Sequence, residues 1–353
     1  MFSVLPFSYM FMVVMIMGTF LSVSSFHWLS IWAGLEINLI GFLPMLVYQK
    51  SVSESESAVK YFIVQALGSS MLIFGSLISF SMSLTWDLHS LSLSHSVGLM
   101  VVLSGLCMKL GLFPFHYWLP GVMAGLPWVT CLLLATWQKF APLFLFLCLL
   151  ELNESYTLAL VLCLISAGSS IVGGIGGINQ TQIRALLAYS SIGHLGWMTF
   201  ALLHSEWSMK FYLFVYVLVS LFMFISLWSV DMGTMKNIGS LKNFSFIQMG
   251  IMLFLLSLGG LPPLLGFISK WLVILVSSSN VFISFLFLLI LGSLMSLFYY
   301  LSLFFSVFLS NMKEVGIKNL KFVGAYSVPL ALAITLNLTG GIFIAFSNIF
   351  YIM

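Results

Sequence analysis

Residues 101–120 read VVLSGLCMKLGLFPFHYWLP, and residues 128–146 read WVTCLLLATWQKFAPLFLF. Each is apolar enough for a membrane-spanning helix, and each carries one lysine, Lys109 and Lys139. An ionised group in hydrocarbon is costly and marks a functional position by default. The first segment is also broken by Gly111 and Pro114. Opened backbone at that depth is tolerated only where protein or a wet cavity covers it. The functional question therefore starts in the stretch 97–150.

Working outward, the rest of the chain obeys the same solvent. Of 353 residues, 61% are hydrophobic and 6% are charged, against about a quarter charged in soluble proteins. No Lys, Arg, Asp or Glu precedes Glu36, and none lies between Trp271 and Met312. These runs exceed the roughly 20 apolar residues that one span requires. A β-barrel would need sustained alternation of polar and apolar positions, which is missing. The fold class is all-α: a polytopic membrane protein, forming a single transmembrane domain over 1–353. Apolar length and polar punctuation predict eleven spans, near 4–22, 27–48, 58–83, 97–118, 127–150, 155–177, 184–203, 210–230, 246–272, 275–306 and 325–351. The loops between them are too short for a soluble or nucleotide-binding domain, and nothing points to nucleic acid.

Charge placement checks that count. With Lys109, Lys139 and Lys270 set aside as embedded, Lys50, Lys60, Arg184, Lys236, Lys242, Lys313, Lys318 and Lys321 all fall at even-numbered loops, and only Lys210 at an odd one. By the positive-inside rule the N-terminus shares the basic face, and eleven spans put the C-terminus opposite. The N-terminal MFSVLPFSYM has no basic residue before its apolar run, so it reads as a retained first span and not a cleaved presequence.

Several motifs reduce to packing. Cys107, Cys131, Cys148 and Cys163 lie in apolar segments without a CxxC pair, which argues against disulfide or metal roles. The glycine cluster GSSIVGGIGGINQ (168–180) lacks the spacing and strand of a phosphate loop; close helix packing accounts for it. No metal-binding spacing such as HExxH occurs, and no histidines are placed to hold a haem.

The ionisable groups inside spans form the candidate site. Glu36 lies mid-span in LSIWAGLEINLIGF, with Asn38 available to a polar network. It is either a neutral packing acid or an acid poised against a nearby cation. Lys109 precedes Gly111 and Pro114, and the proline frees a carbonyl one turn back. A lysine held between desolvation and a carboxylate can change protonation state, which a permanently charged arginine does less readily; the alternative is a fixed ion pair with Glu36. Lys139 is followed by Pro142. The stretch SLGGLPPLLGFISKW (257–271) repeats the grammar, with Gly259, Gly260, Pro262 and Pro263 forcing a discontinuity before Lys270. Lys270 either serves that break or snorkels to the surface. Two interrupted spans, about 97–118 and 246–272, each with a lysine, match the ion sites of internally repeated transporters. His194, in LLAYSSIGHLGWMTF, either bridges the lysine regions or bonds a backbone carbonyl. A line of protonatable groups at mid-depth suits proton or sodium movement.

WAGLEINL (32–39), KLGLFPFHYWLPGV (109–122), the Lys139 segment, QIRALLAYSSIGH (182–194) and SLGGLPPLLGFISKW (257–271) together resemble the chain 2 family of NADH–ubiquinone oxidoreductase. These are the mitochondrially encoded antiporter-like subunits of respiratory complex I, and the resemblance covers nearly the whole chain. It implies an antiporter-like bundle in the eleven-span animal form. It also implies a multi-pass place in the mitochondrial inner membrane, with the basic face toward the matrix and the C-terminus toward the intermembrane space. Proton-transfer residues carried over by motif are Glu36, Lys109 as its pair, Lys139, Lys270 on the second broken helix and His194 on the central axis. The partners implied are other membrane-arm subunits, especially neighbouring antiporter-like ones, and lipid. The cofactors implied, NADH, FMN, iron–sulfur clusters and ubiquinone, belong to other subunits, and none to this chain. A standalone cation–proton antiporter subunit and a purely structural membrane subunit are the competing readings.

Overall fold

The computed structural model describes residues 7–48, 51–87, 96–152, 155–230, 245–278, 282–312 and 331–341. Among them the regular elements are helices, and His27 pairs with Asp87 in an isolated bridge. The helices are α1 (Phe7–Ser24), α2 (Trp28–Leu46), α3 (Val52–Ser83), α4 (Ser96–Leu110), α5 (Trp118–Gly125), α6 (Trp128–Ala135), α7 (Trp137–Leu152), α8 (Tyr156–Ile178), α9 (Ile183–Leu202), α10 (Glu206–Val230), α11 (Ser245–Gly259), α12 (Leu265–Ser277) and α13 (Ile283–Met312). A short apolar helix, α14 (Ala331–Gly341), follows. Among the described residues, seven helical segments are long and apolar enough to cross a bilayer: Phe7–Ser24, Trp28–Leu46, Val52–Ser81, Trp128–Leu152, Tyr156–Ile178, Glu206–Ser229 and Ile283–Phe308. The chain is a multi-pass membrane protein. Of the expected span 325–351 only α14 is described. The basic residues Lys50, Lys236, Lys242, Lys313, Lys318 and Lys321 lie outside the described residues.

Several expected boundaries move for local reasons. Helix α3 starts at Val52 and not near 58, because Ser51 caps it: its Oγ accepts from the Glu54 N–H at 3.3 Å. Helix α12 runs on to Ser277 and α13 begins at Ile283, where the sequence suggested a change near 272–275. Helix α10 starts at Glu206, which pairs with Lys210 one turn on. The one basic residue on the odd-numbered side is thus neutralised by its own helix.

The chain divides into two compact units, Met1–Ile165 and Ser166–Met353, with the boundary inside α8. In the first, α1 packs on α2, α3 on both α2 and α4, and α7 against α4 and α6. In the second, α9 packs against α10, α12 and α13, and α11 sits between α10 and α13. Helix α9 is buried nearly all round, from Ile183 to Leu202. It faces neighbouring helices and so can carry Ser190, Ser191, His194 and Thr199. The glycine cluster lies where α8 meets α9 and α13. A Cβ on Gly173 would fall 2.5 Å from the Gly193 nitrogen, and one on Gly174 would fall 2.6 Å from the Gly292 carbonyl oxygen. Small residues here let backbones touch, as membrane helix contacts require.

Gly173→Val is expected to force α8 and α9 apart and cost about 1–3 kcal/mol. A lower thermal-inactivation midpoint of the assembled protein on native gels checks this.

Candidate functional site: buried lysines beside broken helices

Both expected discontinuities are present, and they end in the same way. Helix α4 stops at Leu110, and Gly111 takes φ +74°. The Leu112 N–H reaches back to the Cys107 carbonyl at 3.0 Å, and the Gly111 N–H to Met108 at 3.3 Å. Helix α11 stops at Gly259, and Gly260 takes φ +80°. There the Leu261 N–H reaches Leu256 at 3.2 Å, and the Gly260 N–H reaches Ser257 at 3.0 Å. This is the Schellman cap, whose left-handed position suits glycine. Pro114 in one break and Pro262 and Pro263 in the other stop the helix from resuming at once.

The two breaks differ in what covers the remaining carbonyls. In the first unit Trp118 Nε1 donates to Met108 O at 3.1 Å, and Gln65 Nε2 donates to Lys109 O at 3.2 Å. The Lys109 ammonium is therefore not spent on its own helix end. In the second unit the lysine does that work: Lys270 Nζ donates to Gly259 O at 2.9 Å, with Leu258 O at 3.5 Å. Lys270 does not snorkel; it is 8% exposed and turns back to the negative end of α11.

A third interruption was not foreseen. The expected span 127–150 is divided at Thr136 into α6 and α7. The Thr136 hydroxyl donates to Leu132 O at 2.7 Å, and the Lys139 N–H bonds Thr136 O in a tightened turn at 3.3 Å. Pro142, inside α7, offers no N–H to the Gln138 carbonyl. The irregularity falls next to Lys139. The proline was visible in the sequence, but the Thr136 break was not.

Lys109, 7% exposed, and Lys139, 2% exposed, line one cavity in the first unit. It has room for about one or two waters. Its polar walls are Asn38, Tyr61, Gln65 and Gln138. Asn38 and Gln138 form a reciprocal amide pair, Nδ2 to Oε1 at 2.9 Å and Nε2 to Oδ1 at 3.2 Å. The Tyr61 hydroxyl adds a 3.5 Å contact to Gln138 Oε1. The sequence marked Asn38 as a possible network member, but gave no signal for Gln138, Tyr61 or Gln65. Glu36 does not line the cavity. It is half-buried on α2, and among the described residues no ion pair within 4.0 Å joins it to Lys109. The two still interact electrostatically, as do Glu36 and Tyr61. A fixed contact pair is thus not what holds Lys109.

His194 and Lys270 line a second cavity, within the second unit, with Ser190, Ser293, Ser296 and Tyr300. His194 is 8% exposed, and its Nδ1 lies 2.8 Å from the Tyr212 hydroxyl. Its ring also packs against Tyr216, with centroids 5.1 Å apart. The partner of this nitrogen is thus a phenol. Within the first unit Lys109 and Lys139 share a cavity, and within the second His194 and Lys270 do.

The sequence profile described as NADH:quinone oxidoreductase/Mrp antiporter, TM, matches residues 25–327. The chain belongs to this family. It is 40% identical over 308 residues to the NADH-ubiquinone oxidoreductase chain 2 of Anopheles gambiae, covering 86% of each chain. It is 37% identical over 321 residues to that of Lumbricus terrestris, covering 88% of this chain and 92% of the relative. Among solved structures, it superposes on a chain of respiratory complex I from Thermus thermophilus with TM-score 0.82 and 27% identity. That match covers 95% of this chain and 77% of the other. A chain of the archaeal membrane-bound sulfane sulfur reductase shares the fold, at TM-score 0.86 and 20% identity over 97% of this chain and 74% of the other.

Replacing Gln138 by Leu leaves the Asn38 amide buried without its partner, at about 1–3 kcal/mol. The double variant Asn38→Leu/Gln138→Leu is expected to recover part of that loss. Thermal-inactivation midpoints of the two variants and the parent test the pair as one unit.

Proposed function

We propose that this chain is the chain 2-type antiporter-like subunit of respiratory complex I, and that it moves protons through its two buried lysine clusters. The observation that carries this is the placing of two buried lysines, Lys109 and Lys139, on one water-sized cavity beside a broken helix, in a chain of this family. A packing role would be served better by apolar side chains, since burying a charge costs more than its pairing usually returns. Oxidation of NADH and reduction of ubiquinone are assigned to other subunits, with their flavin and iron–sulfur groups. Neighbouring antiporter-like subunits and lipid are the contacts.

At rest Glu36 stabilises protonated Lys109 across a short gap. A charge change in a neighbouring subunit neutralises Glu36 or draws it away. A unit charge several ångströms off in an interior of effective dielectric about 20 is worth about 2–4 kcal/mol. That shifts a protonation equilibrium by more than tenfold. The proton of Lys109 then passes through the cavity to Lys139, and His194 and Lys270 serve the later transfers. The 8-to-1 placing of basic residues supports a mitochondrial inner-membrane orientation with the N-terminus in the matrix and the C-terminus in the intermembrane space.

Lys109→Met removes the titrating group and keeps the volume. Coupled proton uptake is expected to fall about tenfold or more in a complex that still assembles on native gels. Loss of assembly would favour the purely structural reading. Sodium-dependent transport by the chain without redox partners would favour a standalone antiporter.

A further inference from the structure

We infer that the Tyr300 hydroxyl is the relay group between His194 and Lys270. Tyr300 is 1% exposed and lines the cavity that those two residues share. That cavity has room for about one water. The serines that also line it have committed their protons to their own helices. Ser170 donates to Ala167 O at 2.8 Å and Ser190 to Leu187 O at 2.7 Å. Ser293 donates to Ile290 O at 2.8 Å and Ser296 to Ser293 O at 2.7 Å. Each can accept a proton from the cavity, but none can pass one on without breaking its own hydrogen bond.

The Tyr300 hydroxyl differs. It is buried and makes no aligned hydrogen bond; Ser190 and Tyr299 stand beside it without that alignment. A buried hydroxyl whose hydrogen bonds are poorly aligned returns less than its desolvation costs, so its presence calls for a reason. Phenylalanine would fill the same space without the cost. The hydroxyl also lies in the electrostatic range of Tyr212 and Tyr216, the two phenols that hold the His194 ring. Tyr300 thus lies within electrostatic range of the phenols around His194 and lines the cavity that also holds Lys270.

The step balances without any co-reactant. One of the two groups, the Lys270 ammonium or the His194 imidazolium, gives a proton to the Tyr300 oxygen, directly or through one water. In the same movement the phenol O–H proton leaves to the other. The phenol is neutral before and after, one O–H bond forms as one breaks, and rotation about C–O resets it.

This inference rests on the proton-transfer reading, and three variants of the assembled complex separate the two. With Tyr300→Phe, NADH-driven proton uptake into proteoliposomes is expected to slow about fivefold or more, with the thermal midpoint unchanged or raised. Tyr299→Phe removes a neighbouring unaligned hydroxyl that does not line the cavity; it is expected to pump like the parent. Lys270→Met tests the underlying reading and is expected to abolish coupled uptake. Normal pumping by Tyr300→Phe beside an inactive Lys270→Met would overturn the relay alone. An equal loss in Tyr299→Phe would also overturn it, as a general packing effect. Normal pumping by Lys270→Met would overturn the proton-transfer reading and the relay with it.

Discussion

The rest of the structure depends on keeping ammonium groups inside an apolar protein. A lysine taken out of water needs hydrogen-bond acceptors, and a continuous helix has none to offer, because its carbonyls are bonded within it. Breaking the helix supplies them. Both breaks use a glycine in the left-handed region and the same backward N–H bonds to close part of the opened end. What remains open is a small negative pole at mid-helix. Lys270 occupies its pole directly. At the other break Trp118 and Gln65 cover the carbonyls, and Lys109 is directed to a cavity.

That difference gives the two clusters different characters. In the first unit the cavity walls are amides, a phenol and two lysines, and the amide pair Asn38–Gln138 ties α2 to α7. Helix α2 also carries Glu36, two residues from Asn38. A charge change at Glu36 therefore acts on the helix that helps to wall the cavity. In the second unit the walls are hydroxyls, and the histidine is oriented by a tyrosine. Amides hold geometry, whereas hydroxyls can both accept and donate.

The tight glycine contacts serve the same end. Helices α8 and α9 approach closely enough that added side-chain carbon on Gly173 would meet the Gly193 backbone. Close backbones leave little free volume, so cavities persist where polar groups line them. The extensive burial of α9 follows from this packing and lets one helix carry His194 with three buried hydroxyl-bearing residues.

The membrane class, the two helix breaks and the mid-span place of Lys109 and Lys139 are legible in the sequence alone, because each has a local cause; the burial of Lys270 came from the fold. Apolar length sets a span, and glycine followed by proline ends a helix whatever surrounds it. A charge within such a span is conspicuous because so few exist. Only the tertiary structure decided which charged groups share a cavity. Gln138, Tyr61, Gln65 and Tyr300 gave no sequence signal, since an amide or a phenol in a helix is common and its role depends on what it faces. The break at Thr136, the gap between Glu36 and Lys109, and the Tyr212 partner of His194 were likewise settled by contacts between helices distant in sequence.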